Sequence, residues 1–336
     1  MGSHHDLIRF SVRPMPPFRL DLTVWALRRR SMNAVDAWNG TTYQRVLAVR
    51  DKPMLVAVTQ RGKTLDVTVT GKSLPPGAKQ KVTSSLERLL GIREDLSEFY
   101  EFSSRHIRLH ELAVRFRGFK PPRFATIFEA LVNGITCQQL SLTVGIIFLN
   151  RLAERCGVAF RPGSFAFPRP EDLAILDPPD LRPLGYSGSK ARALIEVAQS
   201  IAAGQLDLEE LVGFDNRQCV DRLTALRGVG RWTAEYVLLR GLGRINVFPG
   251  DDVGARNSLE RWLHLRNKLD YRGVQTILAK WRGYGGLLFL HLLLKSLDEA
   301  GDLDRIGASS RRFSSVLRRA DNASSADHPV NERIFH

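Results

Sequence analysis

Two short segments hold the residue types best suited to chemistry. The first is Leu226-Arg227-Gly228-Val229-Gly230-Arg231-Trp232-Thr233-Ala234-Glu235-Tyr236, and the second is Phe248-Pro249-Gly250-Asp251-Asp252. In the first, Gly228 and Gly230 bracket one apolar residue between two stretches of helical pattern. Glycine there permits positive φ and lets the backbone come close to a partner. The helix that opens after this hairpin presents free amides, and free amides at a helix N-terminus make a phosphate site. Arg227 and Arg231 flank the turn and add charge, the kind of contact that holds a nucleic-acid backbone without reading its sequence. A tight helix–helix connection would use the same two glycines. In the second segment, Asp251 and Asp252 stand at the start of another helical stretch. A helix N-terminus stabilises a carboxylate, which suits a cap as well as the charged group of a site. Trp232 and Tyr236 are one helical turn apart and share a face, as a buried core pair or as the wall of a pocket.

The elements that must position these residues fall into two regions. Over the first hundred residues, Thr42–Val49, Met54–Gln60 and Leu65–Thr70 read as short strands. In the last of them Leu65, Val67 and Val69 alternate with polar residues, the period of a half-buried strand. Leu20–Arg30 and Lys81–Leu90 read as helices. From about Leu109 the pattern turns helical: Phe124, Ile127, Phe128, Leu131 and Ile135 share one helix face. Further helices are expected over Leu142–Cys156, Lys190–Ala203, Arg217–Leu226, Arg231–Leu239, Val253–Leu263, Val274–Lys280 and Gly286–Asp298. The fold class is therefore α+β, an antiparallel sheet domain over residues 1–105 followed by a mostly helical core over 106–302. Met1–His5 is set aside as a possible scar, and 303–336, with its arginine doublets Arg311-Arg312 and Arg318-Arg319, reads as a disordered tail.

The formal net charge is +14, which favours a polyanionic partner. The tail from Gly301 holds six Lys and Arg against five Asp and Glu, so the excess belongs to the body. Three scattered cysteines, Cys137, Cys156 and Cys219, argue against a disulfide framework, a four-cysteine metal site or an iron–sulfur cluster, and point to a reducing, cytoplasmic compartment. No apolar run is long enough to span a membrane.

With the hairpin and the paired aspartates in this order, the chain resembles the helix-hairpin-helix (HhH-GPD) DNA glycosylase superfamily. Leu226 to Arg256 carries the resemblance best. Looser matches over Phe124–Leu142 and Leu184–Ala198 extend it across most of Leu109–Leu297. The N-terminal sheet domain resembles that of the bacterial inducible 3-methyladenine DNA glycosylases, the AlkA-like branch. The resemblance implies two helical subdomains in the core, a central one over about 125–245 and a second from 106–124 plus 246–302. It also implies a partner, double-stranded DNA with damaged bases, and a reaction, hydrolysis of the N-glycosidic bond of a flipped alkylated purine.

The resemblance further assigns roles residue by residue. The second aspartate of the pair, Asp252, is the catalytic carboxylate, with Asp251 as the helix cap or the two roles reversed. Trp232 and Tyr236 line the base pocket, and Trp25 either closes it or packs in the core. Arg227, Gly228, Val229, Gly230, Arg231 and Thr233 form the DNA-binding hairpin. Gln139, with its apolar neighbour Leu140, aligns with the wedge that fills the gap left by the base. Backbone carbonyls of Thr224, Leu226 and Val229 would hold a monovalent cation. Relatives that nick the strand carry a lysine where this chain has Trp232, so a monofunctional enzyme is expected. The chain departs from the pattern at Val253 and across Leu287-Leu288-Phe289-Leu290-His291, where the family tends to carry aromatic residues. That keeps open deaminated, etheno or oxidised purines as substrates. A catalytically inactive binder of damaged DNA is the alternative from another class. No cofactor is implied. A monomer is expected, associated with the nucleoid if the source is bacterial.

Overall fold

The protein is represented by a computed structural model that describes residues 5–49, 51–281 and 283–303. The expected tail over 303–336 lies almost wholly outside the described residues, as do Met1–His4.

The chain opens with a five-stranded antiparallel sheet in the order β1-β5-β4-β3-β2, formed by β1 (Asp6–Val12), β2 (Ala37–Trp38), β3 (Thr42–Val49), β4 (Lys52–Arg61) and β5 (Thr64–Gly71). Tyr43, Val58, Val67 and Phe10 stand opposite one another across four strands. Alternation puts Leu65, Val67 and Val69 on the covered face, where all three are buried. Helices α1 (Leu20–Arg28) and α2 (Ala78–Leu90) cover that face, with Val24, Leu27, Val82 and Leu86 in the same core as the strands. Strand β1 has no counterpart among the sequence-based expectations. It is an edge strand, half exposed, and it begins beside residues set aside as a scar.

Two short helices, α3 (Ser97–Ser104) and α4 (Ile107–Arg115), lead into the helical region. There α5 (Ile127–Cys137) and α6 (Leu142–Cys156) precede a two-stranded hairpin of β6 (Ala159–Arg161) and β7 (Ser164–Phe165), then α7 (Pro170–Ala174), α8 (Gly188–Ala202), α9 (Asn216–Thr224) and α10 (Arg231–Val237). The chain ends in α11 (Val253–Leu263), α12 (Tyr271–Leu278) and α13 (Gly285–Glu299). Helices α6 and α11 match their expected bounds. Helix α5 starts later than the apolar stripe suggested. Thr126 caps it, accepting the Glu129 amide at 3.0 Å, so Phe124 stays outside the helix yet buried.

The hydrophobic core has two parts. One joins the sheet to α5, α6 and α8–α10, and the other joins a second face of α1 to α3, α4 and α11–α13. Helix α1 contributes to both, and the cleft that matters lies where α1, α10, α11 and α13 meet.

Candidate active site

Asp252 is the N-cap of α11: its Oδ1 accepts the Ala255 amide at 2.8 Å. Its Oδ2 accepts the Trp232 indole N–H at 3.0 Å. A carboxylate offers about four lone-pair positions, so acceptor capacity remains after these two bonds. The structure thus gives Asp252 both the cap and the contact with α10. Asp251, the alternative cap, is turned outward and paired with Arg231 at 2.7 Å.

The loop before Asp252 is tied to α10 by residues one turn apart. Glu235 accepts the Gly250 amide at 3.0 Å and the Tyr271 hydroxyl at 2.6 Å. Burial raises the Glu235 carboxyl above its ordinary range, and the Tyr271 and Gly250 bonds oppose that shift. The Arg231 guanidinium lies 3.7 Å from the Tyr271 ring centre. A side chain at Gly250 would meet that ring at 2.7 Å, which explains the glycine. Arg231, Trp232 and Glu235 together hold Asp252 against the helix that carries the hairpin.

A cavity of about 430 Å³ opens beside Asp252, a size suited to a small ligand. Trp232 and Tyr236 form one wall, stacked with centroids 5.5 Å apart at 22°. Leu140 and Phe289 also line it. Trp25 does not. It lies in the second core among Leu22, Ala26 and Leu96, only 4% exposed, because the inner face of α1 points into that core. Gln139 is exposed beside Leu140 and holds a positive φ of 55°, unusual for a residue with a side chain.

The hairpin between α9 and α10 uses its two glycines differently, and only Gly228 takes the positive φ that glycine permits. Gly228 has φ 74°, and a Cβ there would come within 2.8 Å of the Ala193 methyl. Gly230 is extended and open, with nothing within 4 Å of an added Cβ. Val229 is buried under the turn. Two expected surface residues are otherwise occupied. Thr233 is 1% exposed and accepts from Gln138 Nε2 at 2.8 Å, and Arg227 is paired with Glu196 at 2.8 Å. Gln138 also donates to the Gly228 carbonyl at 2.7 Å, and Lys190 donates to the carbonyls of Thr136 and Gln138. Neither residue carried a distinctive sequence signal, since the side chain of Lys190 meets backbone carbonyls and that of Gln138 a carbonyl and one hydroxyl. Of the carbonyls named for a cation, that of Leu226 accepts the Val229 amide at 3.2 Å. Neutral backbone oxygens of this kind suit a monovalent ion. Among the described residues, no group of three His, Cys, Asp or Glu side chains is placed to hold a metal.

A family model described as the HhH-GPD superfamily of base excision DNA repair proteins matches residues 132–282, the segment that holds the hairpin, Asp252 and Trp232. The matched segment is somewhat under half of the chain, and over it the chain is similar to the HhH-GPD superfamily. It is 28% identical over 207 residues to a Bacillus subtilis DNA-3-methyladenine glycosylase, covering 61% of this chain and 68% of the relative. With an Escherichia coli DNA-3-methyladenine glycosylase it shares 26% over 247 residues, 72% of this chain and 84% of the other. It spans 58% of the length of another Bacillus subtilis relative, at 32% identity. In fold it is similar to a 3-methyladenine DNA glycosylase from Archaeoglobus fulgidus. The TM-score is 0.75 at 24% identity, over 86% of this chain and 98% of that one. An N-terminal sheet followed by a mostly helical core is thus the shared architecture. No helix among the described residues is long and apolar enough to cross a membrane.

Proposed function

We propose that this protein is an HhH-GPD DNA glycosylase that removes alkylated purines of the 3-methyladenine and 7-methylguanine type from duplex DNA. The flipped base enters the cavity and stacks on Trp232 and Tyr236. Asp252 stands at the sugar. As the C1′–N bond breaks, the base leaves with the bonding electrons, and positive charge grows on the sugar. The Asp252 carboxylate stabilises that charge. A water oxygen bonds to C1′, and the proton that water loses passes to Asp252 or to solvent. The products are a free base and an abasic site. Alkylation at a ring nitrogen already makes the base a good leaving group, so no strong general acid is required.

The observation that carries this reading is the Asp252 carboxylate, fixed between a helix amide and an indole at the edge of an aromatic-walled cavity. The cavity lining contains no lysine, and Trp232 stands where a Schiff-base amine would be. That supports a monofunctional hydrolase without lyase activity. The hairpin over Arg227–Arg231 holds the DNA backbone, with Thr233 buried beneath it and a monovalent cation on the carbonyls of Thr224, Leu226 and Val229. Gln139 and Leu140 fill the gap in the duplex. The protein works as a monomer in a reducing, cytoplasmic compartment, in keeping with free Cys137, Cys156 and Cys219.

The test is incubation with methylated genomic DNA, chromatography of the released bases, and gel analysis before and after alkali. Alkylated purines should appear, and strand breaks should follow only after alkali. Borohydride should trap no protein–DNA adduct. A trapped adduct sinks the monofunctional assignment, and no released base sinks the glycosylase.

A further inference from the structure

The ionisable lining of the cavity is unbalanced. Arg29, Arg30, Arg240 and Arg261 face a single carboxylate, Asp252. Two of these arginines are at the buried end: Arg29 is 5% exposed and Arg240 is 1% exposed. Neither makes an ion pair. The nearby buried carboxylates, Asp36 and Glu129, are both taken by Arg45, at 2.7 and 2.6 Å. Burial pulls the Arg240 guanidinium down to about 10, which leaves it protonated at neutral pH.

Their hydrogen bonding is also incomplete. Arg29 donates to the Tyr236 hydroxyl at 2.8 Å and to Asn133 Oδ1 at 2.6 Å. Arg240 donates to the carbonyls of Ala26 and Leu27. The Nε of each is buried without a partner. Because Tyr236 accepts from Arg29, its own hydroxyl hydrogen is free to donate. Both arginines sit where the backbone leaves regular geometry. Arg29 is a left-handed C-cap at φ 62°, and Arg240 rides on a widened π turn over Leu238–Leu242. Such irregular backbone persists only where its surroundings enforce it, and it gathers at functional sites.

An end built from buried cations, with the Tyr236 hydroxyl hydrogen to spare, does not suit a base that presents an amino group. It suits one that presents an oxygen acceptor. We propose that Arg29 and Arg240, with the Tyr236 hydroxyl, select purines that turn a C6 carbonyl into the cavity, and disfavour those with a C6 amino group. Hypoxanthine and 7-methylguanine belong to the first class, and adenine and 3-methyladenine to the second. This rests on the cavity being a base pocket, and it narrows the substrate class of the glycosylase proposed above.

The probe is binding of the free bases hypoxanthine and adenine to the full chain, followed by quenching of Trp232 fluorescence and by competition between the two bases. The two purines differ at the C6 position that the arginines would read. A hydrogen bond to a charged group is worth roughly tenfold or more in affinity. Hypoxanthine should therefore bind the wild-type protein at least about tenfold more tightly. Arg29→Gln should remove most of that preference by weakening hypoxanthine alone, and Arg29→Lys, which keeps the charge, should retain part of it. In methylated DNA, which contains both lesions, Arg29→Gln should lower the ratio of released 7-methylguanine to 3-methyladenine. Equal or tighter adenine binding to the wild-type protein overturns the proposal, and that measurement needs no variant. If the preference holds but no base is ever released from DNA, selection stands and the glycosylase reading fails.

Discussion

Asp252 performs two jobs with two oxygens, one for the α11 amide and one for the Trp232 indole. Asn at this position keeps an acceptor for the cap but loses the charge. Its amide nitrogen then faces the Trp232 indole N–H, so Asp252→Asn should leave the fold and DNA affinity nearly intact at a cost of about 1–3 kcal/mol in stability. It should lower single-turnover base release by at least about 100-fold, the scale of losing one key electrostatic or base group. Asp251→Asn is the matched control. It breaks a half-exposed pair with Arg231, worth about 1 kcal/mol or less, and should spare most activity. If Asp251→Asn abolishes release and Asp252→Asn does not, the two aspartates have been assigned the wrong way round. Trp232→Phe keeps an aromatic wall but removes the indole donor. A fall in base release with unchanged duplex affinity is expected, and an unchanged rate would mean that the indole does not orient the carboxylate.

At the scale of elements, the hairpin is a joint between α9 and α10 and, in the function proposed above, a surface for DNA. The two glycines separate these roles. Gly228 needs its positive φ and has no room for a methyl against Ala193, so Gly228→Asp strains the turn and also sets a carboxylate where phosphate should approach. It should weaken binding to damaged and undamaged duplex alike, and lower stability by about 1–3 kcal/mol. Gly230 has open space around it, so Gly230→Ala should cost about 1 kcal/mol or less, the difference between glycine and alanine at a cap. Duplex affinity by fluorescence anisotropy, beside chemical denaturation, checks both. Unchanged affinity in folded Gly228→Asp would mean that the hairpin only connects helices. The π turn after α10 is a second element-level feature. The helical pattern runs unbroken to Leu239, but the ladder widens at Leu238–Leu242 and carries Arg240 into the cavity.

Two properties belong to the whole molecule. With a net charge of +14, duplex binding should fall steeply as salt rises, because phosphate contacts release counterions. A flat plot of log affinity against log salt would rule out a phosphate-dominated interface. The second property is acid sensitivity. His291 on α13 is enclosed by Phe99, Phe116 and Phe119, with Nδ1 on the Leu287 carbonyl at 2.8 Å. Burial lowers its pKa to about 4, opposed in part by that carbonyl. The unfolded chain has an ordinary imidazole, near 6.5. Between these values the unfolded state binds more protons, so stability rises with pH. The contribution is complete above about 6.5 and is lost as pH falls toward 4, on the order of 3 kcal/mol. Unfolding free energies measured from pH 7 down to 4 should show this slope, and His291→Leu should flatten it.

Local chemistry was legible in the residues themselves. Alternation marked β5, the helices expected over Leu142–Cys156 and Val253–Leu263 matched α6 and α11, and Gly-Val-Gly followed by paired aspartates pointed to a hairpin and a helix cap. These signals are short-range, so one chain displays them without its fold. Edge strand β1 escaped because one covered face gives a faint pattern beside a segment set aside. The placement of Trp25 escaped because the same residue type serves a pocket wall or a core, and only the docking of α1 against α13 decides which. The partner of each aspartate was likewise a tertiary matter, since Asp251 and Asp252 are alike in type and adjacent in sequence. Arg29 and Arg240 stand 211 positions apart, each unremarkable where it lies in the chain. Packing α1 against the wide turn after α10 removes both from water without giving either a carboxylate, and that unbalanced charge exists only in the folded protein.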